Sequence, residues 1–184
     1  MQKTNNKKRH AVIATERHRD SNQGTLYISS GLPGAGKSTF LKKIKKEEEV
    51  IISRDEIRFS MLKEGDDYFK YEDRVYDIFI SKIVKNLKAG KNVYADATHL
   101  TPQSQLKLLA SVLHEAAPPR VELICFTIPL LICLERNEKR VGTQAYCPIK
   151  VIRKMATYIN LTPCSYIDTT WIVDENNNVS KLEV

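Results

Sequence analysis

The chain has 184 residues, a net charge of +7 at neutral pH and four cysteines, values that favour one domain with its own core. It contains no apolar run long enough to cross a membrane, and its basic N-terminus lacks the hydrophobic stretch of a secretory signal. The cysteines form no C-x-x-C pair and the histidines have no metal-ligand spacing, which argues against a zinc site. We therefore expect free thiols and a cytoplasmic protein without membrane contact.

Positive charge is concentrated near the N-terminus, where residues 1–24 hold six basic and two acidic side chains. This polar composition predicts a flexible basic tail over residues 1–24, followed by one folded domain over residues 25–184. The tail either helps to hold nucleic acid or is only a solvated leader, and its composition fits both interpretations.

The first predicted strand, residues 25–30, leads directly into the sequence GLPGAGKST at residues 31–39. This is a complete G-x-x-x-x-G-K-[S/T] phosphate loop between a strand and a helix, where its mechanism requires it. Its backbone amides and the positive end of the following helix attract phosphate oxygens. We expect the side chain of Lys37 to reach the β- and γ-phosphates of ATP, and the Ser38 hydroxyl to bind Mg²⁺. The predicted nucleotide-binding residues are Gly31, Gly34, Ala35, Gly36, Lys37, Ser38 and Thr39.

Two aspartates, Asp55 and Asp96, follow the next two predicted strands. The predicted elements here are a helix running to about residue 49, a strand at 50–53, a helix at 71–89 and a strand at 92–95. Ligands of parallel sheets bind at the carboxyl ends of the strands, so both acids should face the phosphate loop. A phosphotransferase needs one carboxylate to align or deprotonate the acceptor, and a second often organises Mg²⁺. Spacing alone does not assign the two roles, and each acid is also compatible with helix capping.

Several side chains near these acids have two open interpretations. Arg58 follows Asp55 by three residues, so it either holds a phosphate of the acceptor or forms an intrahelical ion pair. Thr98 and His99 follow Asp96; His99 either contacts a base or phosphate of the substrate or lies in a surface loop, and we expect the surface loop. Four clustered aromatic residues either stack on a base or pack on the core: Tyr68, Phe69, Tyr71 and Tyr76.

The second half of the chain contains a predicted lid. The predicted elements are a helix at 101–117, a strand at 121–128, a helix at 129–140, a helix at 149–160 and a strand at 171–173. Arg136 and Arg140 share one face of the predicted helix at 129–140, and Gly142 then allows a flexible break. The two arginines could close over the γ-phosphate and stabilise its charge; the alternative is a solvated helix end.

Strands alternate with helices along the whole body. This order predicts an α/β protein with the three-layer fold of P-loop NTPases: a parallel sheet, flanked by helices, with a helical lid.

Taken in order, these motifs resemble the kinase domain of phage-type 5′-polynucleotide kinases, within the P-loop kinases, over residues 26–158. The resemblance rests on the phosphate loop, on RDEIR at 54–58, on DAT at 96–98 and on RNEKR at 136–140, followed by Gly142, Thr143 and Pro148. It implies ATP and Mg²⁺ as cofactors and a nucleic acid 5′-hydroxyl as acceptor. It also implies catalytic roles for Lys37, Asp55, Arg136 and Arg140, and substrate binding by Arg58, Asp96 and Thr98.

The sequence departs from this family at two positions. Val141 separates Arg140 from Gly142, and His99 stands where the family commonly has asparagine. No D-x-D-x-T phosphatase motif is present, so we do not expect 3′ dephosphorylation.

The favoured function is transfer of the ATP γ-phosphate to the 5′-hydroxyl of DNA or RNA. One alternative is a small-molecule kinase acting on a nucleoside, sugar or antibiotic hydroxyl. The other is an ATP-binding module that transfers no phosphate. A regulatory GTPase is not expected, because the chain has no N-K-x-D guanine signature.

Overall fold

The computed structural model describes residues 18–183 and has a six-stranded sheet at its centre. In chain order the strands are β1 (Leu26–Ser30), β2 (Val50–Ser53), β3 (Val93–Asp96), β4 (Val121–Phe126), β5 (Thr169–Val173) and β6 (Val179–Lys181). They lie side by side in the order β2-β3-β1-β4-β5-β6; the first five are parallel, and β6 is antiparallel to β5. The predicted P-loop α/β fold is therefore confirmed, with an antiparallel edge strand that the sequence analysis missed.

Within residues 18–183, six helices flank the sheet. They are α1 (Lys37–Ile44), α2 (Arg54–Phe59), α3 (Glu72–Lys88), α4 (Pro102–Leu113), α5 (Leu130–Glu138) and α6 (Ile149–Ala156). Several end earlier than predicted, and α1 ends at Ile44 rather than near residue 49. The reason lies in Glu49, which is buried and accepts hydrogen bonds from Asn92 Nδ2 and the Tyr94 hydroxyl, both at 3.0 Å. The chain must leave the helix to bring this carboxylate to the sheet.

The two faces of the sheet are covered by separate apolar cores. One core packs α3 and α4 against the sheet and includes Phe79 and Leu108; the other packs α1, α5 and α6 and includes Leu41 and Ile152. Successive residues of the fully buried strand β4 point to opposite cores. Because both faces of the sheet are covered, the sequences of its parallel strands are largely continuous apolar runs. The carboxyl ends of these strands face the loops that carry the predicted site.

Residues 18–24, which the sequence analysis assigned to the tail, contact the folded body. Arg19 pairs with Asp168 at 2.6 Å, and the Gly24 amide donates to the carbonyl of Leu87 at 3.1 Å. The rest of the predicted tail, residues 1–17, lies outside the described residues. Within residues 18–183, no helix is both long and apolar enough to span a bilayer. The four cysteines are free thiols, as predicted.

Candidate active site

The phosphate loop, residues 31–36, joins β1 to α1 at the carboxyl edge of the sheet. Its conformation depends on glycine: Gly34 has φ 84°, and a Cβ built there would lie 2.2 Å from the carbonyl oxygen of Cys133. The loop is also fastened from the side, because the Gly31 amide donates to the carbonyl of Thr98 at 2.9 Å. Thr98, predicted at the acceptor pocket, thus supports the phosphate loop through its backbone.

Gly34→Ala is expected to destabilise the protein and to weaken ATP binding. Left-handed backbone costs a non-glycine residue about 1–2 kcal/mol, and the contact with the Cys133 carbonyl adds to that cost. Gly142→Ala is the matched control, because Gly142 has φ 83° but nothing within 4 Å of its built Cβ. Urea unfolding of both variants isolates the steric contribution. Equal losses of stability would show that the approach of Cys133 does not constrain the loop.

Lys37, the first residue of α1, folds back onto the loop. Its Nζ donates to the carbonyl oxygens of Gly31 at 2.9 Å and Leu32 at 3.0 Å. Burial lowers the pKa of Lys37, whereas the nearby carboxylates of Asp96 and Asp55 oppose this shift and favour the charged amine. The ammonium is therefore within electrostatic reach of both predicted acids and lies beside the backbone that would cradle phosphates.

Asp96, the last residue of β3, is 4% exposed and lies beneath the phosphate loop. The Ser38 hydroxyl donates to its Oδ2 at 2.5 Å, and the Ser29 hydroxyl to its Oδ1 at 3.3 Å. Burial raises the pKa of this carboxyl, while hydrogen bonding from Ser38 and the charge of Lys37 act in the opposite direction. A hydroxyl and a carboxylate in contact are the hard oxygen donors that Mg²⁺ prefers, so these residues fit the predicted magnesium ion.

Asp55 is held quite differently, on the first turn of α2. This helix begins at Ser53, whose hydroxyl caps it by accepting a hydrogen bond from the Glu56 amide at 3.3 Å. The Asp55 side chain is 61% exposed, and it accepts hydrogen bonds from the Tyr68 hydroxyl at 2.9 Å and from Arg58. Its carboxylate is therefore oriented by two donors yet open to an incoming hydroxyl.

Arg58 lies at the centre of a buried charge network and is only 6% exposed at its side chain. It binds Glu72 Oε2 through Nη2 at 2.7 Å and through Nε at 3.3 Å, and its Nη1 donates to Asp55 and to the Tyr68 hydroxyl. The other oxygen of Glu72 pairs with Arg54. The intrahelical ion pair considered as one alternative is therefore present, and four of the five N–H groups of Arg58 are used within this network.

The predicted lid arginines lie on the other side of the phosphate loop. Arg136 reaches the loop from α5, with its Nη1 3.4 Å from the carbonyl oxygen of Ala35. Arg140 is half-buried beyond the end of α5. Burial is the main cause that lowers the pKa of Lys37, and the positive charge of Arg140 lowers that pKa further. Both arginines are thus near the place where donor phosphates would lie.

Sequence reasoning missed a buried residue that fastens the loop after α5. Asn137 is fully buried, its Oδ1 accepts from the Cys147 amide at 3.0 Å, and its Nδ2 donates to the Cys147 carbonyl at 2.7 Å. These bonds bring together the two ends of the largely exposed loop at 139–146. The helix predicted at 129–140 ends at Glu138 for this reason. An amide side chain on the inward face of α5 was the available signal.

The expectation that His99 lies in a surface loop is wrong. The residue is 6% exposed, with φ 34°, and its Nδ1 lies 3.1 Å from the carbonyl oxygen of Ser29. Burial lowers the pKa of its imidazole to about 4, so the ring is neutral at physiological pH. His99 belongs to the loop between β3 and α4, and its buried ring lies 6.4 Å from that of Phe79, centre to centre.

Solved structures of several proteins share this fold. The matched chain in the Pnkp1/Rnl/Hen1 RNA repair complex is 24% identical, with a TM-score of 0.65 over 79% of this chain and 47% of that one. Kti12 from Chaetomium thermophilum, in complex with ADP-AlF3, is 12% identical, with a TM-score of 0.61 over 83% and 90%. A sugar kinase from Janibacter is 17% identical, with a TM-score of 0.57 over 85% and 87%.

These likenesses are all below 25% identity and establish the fold alone. The chain spans about half the length of its counterpart in the RNA repair complex. No curated protein sequence matches it. Residues 26–161, however, match the AAA domain family AAA_33. With its phosphate loop between β1 and α1, the chain belongs to this family of ATP-binding P-loop domains.

Proposed function

We propose that this protein is an ATP-dependent kinase that transfers the γ-phosphate of ATP to the 5′-hydroxyl of a polynucleotide. The observation that carries the proposal is the contrast between two carboxylates beside one phosphate loop. Asp96 is buried against Ser38, whereas Asp55 is exposed and oriented by donors. Asp96 is therefore suited to help hold the metal, and Asp55 is suited to bind and deprotonate a hydroxyl acceptor.

In the proposed reaction the 5′-oxygen attacks the γ-phosphorus in line with the bond to the β-phosphate oxygen, and ADP leaves. Asp55 aligns the hydroxyl and accepts its proton as the new P–O bond forms. Lys37, the loop amides, Arg136 and Arg140 bind the phosphate oxygens and stabilise their charge. Magnesium, held by Ser38 with Asp96 behind it, supplies further charge neutralisation when bound.

This assignment revises the role that the resemblance implies for Asp96. Its bonds to Ser38 and Ser29 favour a place on the metal side rather than in the acceptor pocket. Thr98, which supports the phosphate loop through its carbonyl, would act on the acceptor only indirectly.

The acceptor is tested with purified protein, Mg²⁺ and γ-labelled ATP. The panel contains DNA and RNA oligonucleotides with a 5′-hydroxyl, the same oligonucleotides with a 5′-phosphate as controls, and a set of nucleosides and sugars. We expect strong label on the 5′-hydroxyl oligonucleotides, slow label on nucleosides that lack a neighbouring phosphate, and none on the sugars or the 5′-phosphate controls. Label confined to a small molecule would support the small-molecule kinase that the sugar kinase fold also accommodates. No label despite tight ATP binding would favour the non-transferring module.

Arg58→Ala is expected to impair phosphate-bearing acceptors more than bare nucleosides. The one N–H group of Arg58 outside its protein network can donate to a phosphate next to the reacting hydroxyl, and such charged bonds contribute about 1.5–3 kcal/mol. We expect kcat/KM for a nucleoside 3′-phosphate to fall at least about tenfold further than for the nucleoside. Arg54→Ala, which also removes a partner of Glu72, is the matched control. Equal losses on both acceptors would argue against a phosphate contact.

A further inference from the structure

Two aromatic rings beside Asp55 remain exposed. Of the four clustered aromatic residues, Tyr71 and Tyr76 are partly buried and pack against the core, as one interpretation of the sequence required. Tyr68 and Phe69 instead lie at the surface, 39% and 63% exposed. The charge network described above uses the Tyr68 hydroxyl but no part of Phe69, and nothing in the proposed phosphoryl transfer explains an open phenylalanine at this position.

Tyr68 has a fixed position relative to the proposed general base. Its hydroxyl donates to Asp55 at 2.9 Å and accepts from Arg58 at 2.7 Å. The guanidinium carbon of Arg58 lies 4.3 Å from the centre of its ring. Partial burial and the negative charge of Asp55 raise the pKa of the phenol, so the hydroxyl remains a donor. The ring therefore extends from Asp55 towards solvent in a defined direction.

Phe69 continues this aromatic surface. Its ring centre lies 4.9 Å from that of Tyr68, and the two planes are almost perpendicular, at 84°. The backbone of Phe69 is fixed on both sides, since its amide donates to Asp67 Oδ1 at 2.8 Å and its carbonyl accepts from the Glu72 amide at 3.0 Å. An exposed apolar ring on a fixed backbone, one phenol ring away from the proposed general base, is suited to a flat apolar partner, as a nucleobase is.

We propose that Tyr68 and Phe69 form an aromatic platform on which the base of the 5′-terminal acceptor nucleotide stacks. The inference rests on the proposed kinase function and narrows its substrate class to acceptors with a nucleobase at the reacting end. In a nucleoside, one sugar ring separates the base from the 5′-hydroxyl. In the protein, the phenol ring of Tyr68 separates Phe69 from Asp55, so a hydroxyl at Asp55 would bring its base close to Phe69. Sugars and polyols have nothing to place on this platform. Stacking on aromatic side chains tolerates every base, so the platform selects for the presence of a base rather than its identity.

The test uses two 5′-hydroxyl oligonucleotides of equal length and phosphate content. One has a normal 5′-terminal nucleotide, and the other has a stable abasic sugar at that end. We expect kcat/KM of the unmodified protein to favour the base-bearing acceptor about tenfold, as base stacking on an aromatic side chain implies. Phe69→Ala should abolish this preference by lowering the rate on the base-bearing acceptor more than the rate on the abasic one, and Phe69→Trp should retain it.

Val179→Ala provides the control, because Val179 is an exposed apolar residue, 52% accessible, in β6 at the opposite edge of the sheet. It should keep the preference of the unmodified protein. Equal rates of the unmodified protein on both acceptors, or an equal fall on both in Phe69→Ala, would overturn the platform while the label itself still supported the kinase. Absence of label on both acceptors with the unmodified protein would overturn the proposed function, and the platform with it.

Discussion

Asp55→Asn is expected to lower kcat for phosphoryl transfer by about 10²–10⁴-fold, the usual contribution of a general base. The asparagine amide has the shape of the carboxylate but cannot accept the proton of the attacking hydroxyl. The fold should be unaffected, because Tyr68 and Arg58 can still donate to the remaining carbonyl oxygen and the side chain is largely exposed. ATP binding should also persist, since Asp55 lies on the acceptor side of the loop.

Glu56→Gln is the matched control for this variant. Glu56 is the next residue of α2, its side chain is 64% exposed, and it forms a surface pair with Lys42 at 3.4 Å. Such exposed pairs contribute little, so both stability and rate should be preserved. Single-turnover rates and ATP affinity, measured for both variants, separate chemistry from binding. A rate within a few-fold of the unmodified protein in Asp55→Asn would remove Asp55 from the role of base.

The two aspartates show what spacing can and cannot predict. Both follow parallel strands, so the sequence places both at the same edge of the sheet. Their chemical difference arises from contacts over long stretches of chain, which periodicity does not encode. Ser38 and Asp96 are 58 residues apart and share a hydrogen bond, whereas Asp55 is bounded by its own helix and by Tyr68. The proposed roles of the two aspartates therefore follow from how deeply each carboxylate is buried and which side chains bind it, and not from where each residue lies along its strand.

Contacts between residues distant in sequence also explain why some helix ends were misplaced and why the charge network of Arg58 and Glu72 was not predicted. The phosphate loop was predictable because glycine, lysine and serine at fixed spacing encode a local backbone shape. The end of α1 depends instead on Glu49 reaching Asn92 and Tyr94. Strand β6 has three exposed residues and no apolar alternation, so only its pairing with β5 defines it. The contact of Glu72 with Arg58 likewise joins two helices across 14 residues of sequence.

Lys37→Met is expected to lower kcat for transfer by about 10³-fold, because it removes a cation aimed at the charge that develops on the transferring phosphate. Methionine retains most of the side-chain volume, so the packing beside the loop is preserved. The lost hydrogen bonds run from the ammonium to two loop carbonyls, those of Gly31 and Leu32, and each contributes about 1.5–3 kcal/mol, but the substitution also removes the cost of burying the charged amine. The variant should therefore remain folded, with a larger effect on transfer than on ATP affinity.

Lys43→Met is the matched control, because Lys43 is an exposed lysine of the same helix. It shows whether the loss of transfer depends on the position of Lys37 or only on the loss of one positive charge. It lowers the net charge equally and should leave transfer unchanged. Calorimetry with ATP, thermal unfolding and single-turnover transfer, applied to both variants, distinguish the outcomes. If Lys37→Met loses ATP binding and chemistry in the same proportion, the lysine provides uniform binding of the nucleotide rather than transition-state stabilisation. If transfer persists in Lys37→Met, the reacting phosphate is not bound at this loop.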